Sequence, residues 1–150
     1  MIENFKSFLV IVAHPDDDIL GCGATLSKLV KLNKKIKVVF VAEGTSCRFP
    51  KYKKLNKKIQ KEIKRRSDYA VKALRDIGVK NYKFYNLKCG KLNSYPITEI
   101  ANIVENEIKK FKPDIIFTHS DNDVNIDHRT VYQACLQSTR PSSRSKITGL

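Results

Sequence analysis

The sequence predicts an α/β fold: a Rossmann-like three-layer domain in which helices flank a mostly parallel sheet. Strand-like runs of Val, Ile and Phe alternate with longer segments of helical spacing. Parallel strands buried between two helical layers read this way. Two of the apolar runs, at 8–13 and 115–117, lead directly into clusters of acidic residues and histidine. These are His14-Pro-Asp-Asp-Asp18 and Asp121-Asn-Asp-Val-Asn-Ile-Asp-His128. In an open parallel sheet, ligands bind in the crevice outside the carboxyl ends of the strands. Two loops more than a hundred residues apart can therefore meet at one site.

The elements follow in order. A strand at 7–13 leads to a helix at 19–32, with Leu20, Ala24, Ser27 and Lys31 along one stripe and Leu26, Leu29 and Val30 on the buried side. Asp18 stands where a helix N-cap is expected. A strand at 36–42 ends in a loop carrying Gly44 and Pro50, and the basic segment after it becomes a helix to about Asp76, stopped near Gly78. A short strand occupies 82–87. Ile97, Ile100, Ala101, Val104, Ile108 and Phe111 have helical spacing, with Pro96 near the start, Lys109 and Lys110 in the last turn and Pro113 beyond. The last strand is expected at 114–118, and the last helix at 127–138, turning Val131, Ala134 and Cys135 inward. After Pro141 the tail is polar and offers no closing strand.

One hundred and fifty residues at 41% hydrophobic content suit a single core, so 1–150 reads as one domain. No apolar stretch has the length of a membrane span, and the expectation is a soluble, cytoplasmic protein. Cys22, Cys47, Cys89 and Cys135 are scattered without CxxC spacing, which suits reduced thiols in packing or solvated roles. The net charge of +14 is largely local: segment 51–66 holds seven Lys, two Arg and one Glu. Such a run reads as a solvated helix face, or as a patch that steers a phosphorylated substrate.

A catalytic zinc site uses three protein ligands and keeps a position open for water. His14, Asp17 and His128 supply such a set, because His14 and Asp17 lie three residues apart across a tight loop entering a helix. Asp16 is then left to act as general base. Three carboxylates in one loop repel one another unless a cation neutralises them, which favours metal binding over helix capping alone. Asp127, beside His128, joins the catalytic candidates.

These residues resemble a known family. Ala13-His-Pro-Asp-Asp-Asp18 is similar to the AHPDDE motif of the LmbE-like, PIG-L family of zinc-dependent N-deacetylases, which act on N-acetylglucosaminyl groups. Glu43-Gly-Thr-Ser-Cys-Arg48 and Thr118-His-Ser-Asp-Asn-Asp-Val-Asn-Ile-Asp-His-Arg129 resemble further family segments, as does Thr139-Arg-Pro141. The resemblance implies that His14, Asp17 and His128 bind zinc, or another divalent ion such as Fe2+. It implies that Asp16 activates the metal-bound water, which attacks the acetamide of an amino sugar that is free, nucleotide-linked, lipid-linked or part of a polysaccharide precursor. Asp18 replaces the family's Glu. Asn125 stands where many relatives carry an oxyanion-stabilising His; an amide can donate a hydrogen bond but cannot act as an acid. His119 could take that role, or could equally be packed or contact substrate. Arg48 is placed to reach a sugar hydroxyl or phosphate, or is an ordinary surface arginine. The family domain usually continues past the Thr-Arg-Pro segment, so the domain is expected to be incomplete at its C-terminal end.

Two other readings compete. A metal-dependent phosphoesterase could draw on Asp16, Asp17, Asp18, Asp121, Asp123 and Asp127 to hold two ions. A non-catalytic nucleotide- or nucleic-acid-binding module could use the basic segment and a Gly21-Cys-Gly23 turn. That turn lacks the third glycine of a dinucleotide fingerprint, and the basic segment lacks interleaved aromatics. Nucleic acid is thus not the expected partner, an amino sugar is, and the sequence is silent on oligomeric state.

Overall fold

The structure, a computed structural model, describes residues 2–49 and 56–140. Four strands, β1 (Ser7–Val12), β2 (Lys35–Ala42), β3 (Tyr82–Leu87) and β4 (Ile115–Phe117), form a sheet of order β3-β2-β1-β4 in which every pairing is parallel. All six residues of β1 are buried, as a central strand covered on both faces requires. Alternation along the strands sorts the core into two halves. Phe8, Val10, Val38 and Phe40 pack with Leu26, Leu29, Ala70 and Leu74 of α1 (Asp17–Lys31) and α2 (Lys57–Asp76). Leu9, Ile11, Val39 and Val41 pack on the other face with Ile100, Val104, Val131 and Ala134 of α3 (Ile97–Phe111) and α4 (Ile126–Thr139). The result is the expected three-layer sandwich.

The strand order places the functional crevice. From β1 the chain winds outward through β2 to β3, then crosses to β4 on the other side of β1. The switch point lies between β1 and β4, whose carboxyl ends carry the two histidine loops, and this is where open α/β sheets bind ligands.

Local departures from the sequence reading have physical causes. Helix α1 starts at Asp17 because the amides of Asp16 and Asp17 both bond the His14 carbonyl, so the helix begins inside the acidic loop. Asp18 is accordingly no N-cap: it is carried round to the buried side, and both its carboxylate oxygens lack a hydrogen-bond partner among the described residues. Burial first, with the nearby Asp17 and Asp16, raises its carboxyl to about 6. Gly21 and Gly23 lie within α1, on either side of a kink at Cys22, where the backbone leaves helical values. Helix α2 begins at Lys57, capped by Asn56, whose side chain accepts from the Ile59 amide at 3.0 Å. The basic residues Lys51, Lys53 and Lys54, together with Pro50 and Pro141, lie outside the described residues. No helix among the described residues is long and apolar enough to cross a membrane.

Candidate metal centre

Strand β1 delivers His14 and Asp17 from one side of the switch point, and the loop after β4 delivers His128 at the start of α4 from the other. Their donor atoms form a nearly equilateral triangle. His14 Nδ1 lies 3.2 Å from His128 Nε2 and 3.4 Å from Asp17 Oδ2, and the latter two atoms are 3.3 Å apart. Ligands about 2.1 Å from a tetrahedral zinc ion stand about 3.4 Å from one another, so the three donors have the spacing of one tetrahedral face and leave the fourth position open. All three side chains are at least five-sixths buried.

Each histidine is oriented by a carboxylate on its far nitrogen. His14 Nε2 lies 2.9 Å from Asp127 Oδ2, and His128 Nδ1 lies 2.8 Å from Asp123 Oδ2. In the neutral form of each ring this arrangement would fix the tautomer and leave the other nitrogen's lone pair facing the centre of the triangle. Asp127 is fully buried and is itself fixed by the amides of Gly90 and Leu92, which donate to it at 2.6 and 3.0 Å. Burial opposes a charge on His14, but the hydrogen bonds to Asp127 and Asp17 outweigh it and raise the imidazole to about 11. Asp17, also opposed by burial, is lowered by its hydrogen bonds with the His14 side chain and amide. When no cation is bound, a proton on His14 thus balances the buried carboxylates, and the donor chemistry fits a divalent ion that would take its place.

The other candidates lie around this triangle. Asp16 is 45% exposed at its side chain where Asp17 is 13%, so it can meet a water or substrate that the ligands cannot; Arg66 of α2 donates to its Oδ2 at 2.7 Å. His119 accepts the Ala13 amide at Nε2 (2.8 Å) and stacks on His128 with ring centroids 4.0 Å apart. Burial first, then the nearby His128, lowers His119 to about 4, so it is a neutral imidazole with its proton at Nδ1. Asn125 caps α4, its Oδ1 accepting the Asp127 amide at 2.9 Å. Arg48 lines a cavity of about 300 Å³ together with Phe49, Glu62, Arg65, Arg66 and Tyr69. Arg66, which lines this cavity, is also the residue that holds Asp16.

Sequence reasoning assigned no individual role to Arg66, Gly44 or the loop 88–92, and placed Asp123 only among the six carboxylates that could hold two ions. Arg66 sits within a basic run whose other described members, Lys57, Lys58, Lys61, Lys64 and Arg65, are exposed, and only the fold of α2 onto the acidic loop separates it from them. Gly44 did carry a signal as loop punctuation. Its φ is +71°, and a Cβ there would stand 2.9 Å from Pro15 Cδ and 3.2 Å from His14 Cβ, so the loop can approach the histidine only with glycine at this position.

Comparison with known proteins bears on the family and the fold. The chain is 29% identical over 139 residues to the uncharacterized deacetylase YaiS of Escherichia coli (strain K12), covering 90% of this chain and 69% of that one. It superposes on the N,N'-diacetylchitobiose deacetylase from Pyrococcus horikoshii with a TM-score of 0.77 at 22% identity, covering 91% of this chain and 50% of that one. It superposes also on GalB, the 4-carboxy-2-hydroxymuconate hydratase of Pseudomonas putida KT2440, with a TM-score of 0.71 at 19% identity, covering 97% of this chain and 62% of that one. The chain thus spans about half to two thirds of the length of these relatives. The two superpositions establish a shared fold, and one of those folds carries a hydratase rather than a deacetylase, so chemistry has to be argued from the site. The resemblance read in the two histidine loops is borne out by a match over residues 9–139 to the family described as PIG-L, GlcNAc-PI de-N-acetylase, and the chain belongs to that family.

Proposed function

We propose that the protein is a metal-dependent amide hydrolase that removes the N-acetyl group from an N-acetylglucosamine-type amino sugar, with zinc as the ion and Fe2+ as the alternative. The observation that carries this reading is the His14, Asp17 and His128 triangle, open on one side, at the switch point of a PIG-L domain. When bound there, the ion would act as a Lewis acid on water and carbonyl.

The chain's own residues supply the rest. Asp127 and Asp123 hold the two histidines, so the ligand nitrogens are set before substrate arrives. Asp16 takes the proton of the attacking water and returns it to the departing amine, and Arg66 fixes the carboxylate for both transfers. His119 and the Asn125 amide are the neutral donors for the developing oxyanion. Arg48, in the cavity that Arg66 also lines, binds an oxygen-rich part of the substrate away from the acetamide. Two further groups of candidate ligands occur among the described residues, His14 with Cys89 and Asp127, and His119 with Asp123 and His128. Each borrows a histidine from the first triangle, which favours one ion over the two of a phosphoesterase.

The test is metal analysis of the purified protein alongside acetate release from N-acetylglucosamine, its nucleotide- and lipid-linked forms and chitooligosaccharides. One ion per chain is expected, lost in His14→Ala and His128→Ala. Asp16→Asn should keep the ion and lower acetate release by about 10²-fold or more. Two ions with phosphate release, or a bound ion with no acetate from any of these sugars, would overturn the reading.

A further inference from the structure

Two of the four thiols that the sequence leaves scattered are brought together beside the metal centre. Cys47 lies in the short 3-10 turn Ser46–Arg48 after β2, and Cys89 in the loop after β3; their sulfur atoms are 2.8 Å apart. Cys47 is exposed and Cys89 buried, and both are free thiols. The two segments are already joined by Glu43, whose carboxylate accepts the amides of Thr45, Ser46 and Cys89. At Gly90 a Cβ would stand only 3.0 Å from Cys47 Cβ, so little slack separates them.

We propose that Cys47 and Cys89 are an oxidation site that closes to a disulfide under peroxide and thereby loosens the metal centre. The bond rests on the cysteine geometry alone, and its consequence on the metal triangle described above. In the reaction the exposed Cys47 sulfur attacks a peroxide oxygen, giving a sulfenic acid and water. Cys89 sulfur then displaces the sulfenic hydroxyl as a second water. Two thiols and one hydrogen peroxide become one disulfide and two waters, and the two thiol protons end in the water. Burial first, then the hydrogen bond with Cys89, raises the Cys47 thiol to about 11, so the reaction runs on a small thiolate fraction and is slow.

Closing the bond draws the sulfurs together by about 0.8 Å, from their present contact to disulfide length. The loop that moves is the one that holds Asp127. Gly90, next to Cys89, donates its amide to Asp127 Oδ2, and Leu92 donates to Oδ1. Asp127 in turn orients His14. Groups that orient a metal-bound histidine typically alter affinity 10- to 100-fold when disturbed, so zinc affinity should fall about tenfold on oxidation.

The experiment treats zinc-loaded protein with excess hydrogen peroxide, maps disulfides by peptide mass spectrometry, and measures zinc affinity by competition with a chromophoric chelator before and after dithiothreitol. The expected result is a Cys47–Cys89 crosslink with affinity about tenfold weaker, both reversed by dithiothreitol and both absent in Cys47→Ser. Separate alkylation of the two thiols after peroxide, or their conversion to sulfinic acids without crosslinking, would overturn the site. A crosslinked protein with unchanged zinc affinity would overturn the link to the metal centre. Neither readout involves acetate release, so failure here is distinguishable from failure of the deacetylase reading.

Discussion

His14 is the residue on which the candidate chemistry turns, because one ring nitrogen belongs to the metal triangle and the other to the buried Asp127. With its imidazole raised to about 11, metal-free protein carries a proton on His14 throughout the neutral range. Ion binding must expel that proton, so about one proton should leave per ion at pH 7, and affinity should rise about tenfold per pH unit below the His14 value. Calorimetry in buffers of different ionisation enthalpy measures the release; zero protons would show that His14 is already neutral before the ion binds. Asp127→Asn keeps the shape but removes the charge that orients His14, and a chelator competition should show zinc affinity weaker by about 10- to 100-fold. The triangle itself was legible in the sequence, since His14 and Asp17 are local neighbours and His128 ends a similar acidic loop. The division of labour within 121–128 was not: that Asp123 and Asp127 serve different histidines, and that Asn125 caps α4, depends on how the loop folds across the switch point.

At the scale of elements, the strands and helices were readable because burial on both faces gives β1 and β2 continuous apolar runs and leaves α3 a clear stripe. What spacing could not show is where two elements press together. Helix α2 lays Arg66 against Asp16, and the loop after β2 lays Gly44 against His14 and Pro15. Gly44→Ala combines a left-handed backbone with contacts no Cβ tolerates. It should cost about 2 kcal/mol or more in urea unfolding and weaken zinc binding in the same protein; unchanged stability would mean that the loop stands further from His14. Arg66→Ala removes only a positioning group, so zinc should stay bound while acetate release falls about tenfold. Loss of the ion in this variant would assign Arg66 to building the metal centre instead.

At the scale of the whole molecule, the layers are joined by an ion cluster that no sequence pattern announces. Glu107, on the inner face of α3, is fully buried, and meets Lys37 of β2 at 2.5 Å, Tyr85 of β3 at 2.6 Å and Lys83 at 3.2 Å. A glutamate between inward-facing positions of an amphipathic helix reads as a solvent residue, because its partners lie on strands far away in sequence. Burial opposes its charge, but the hydrogen bonds from Lys37, Tyr85 and Lys83 prevail and lower the carboxyl from 4.5 to about 2. A group whose folded value lies below its unfolded one adds stability that is fully present above the unfolded value and lost as pH falls toward the folded one. Wild type should therefore lose about 3 kcal/mol relative to Glu107→Gln as pH falls from about 4.5 to about 2, whatever other carboxylates contribute to both proteins. Denaturant unfolding of the pair across that range measures the gap. A gap that stays constant with pH would mean that the cluster does not hold Glu107 ionised, and that the sheet and α3 are joined by apolar packing alone.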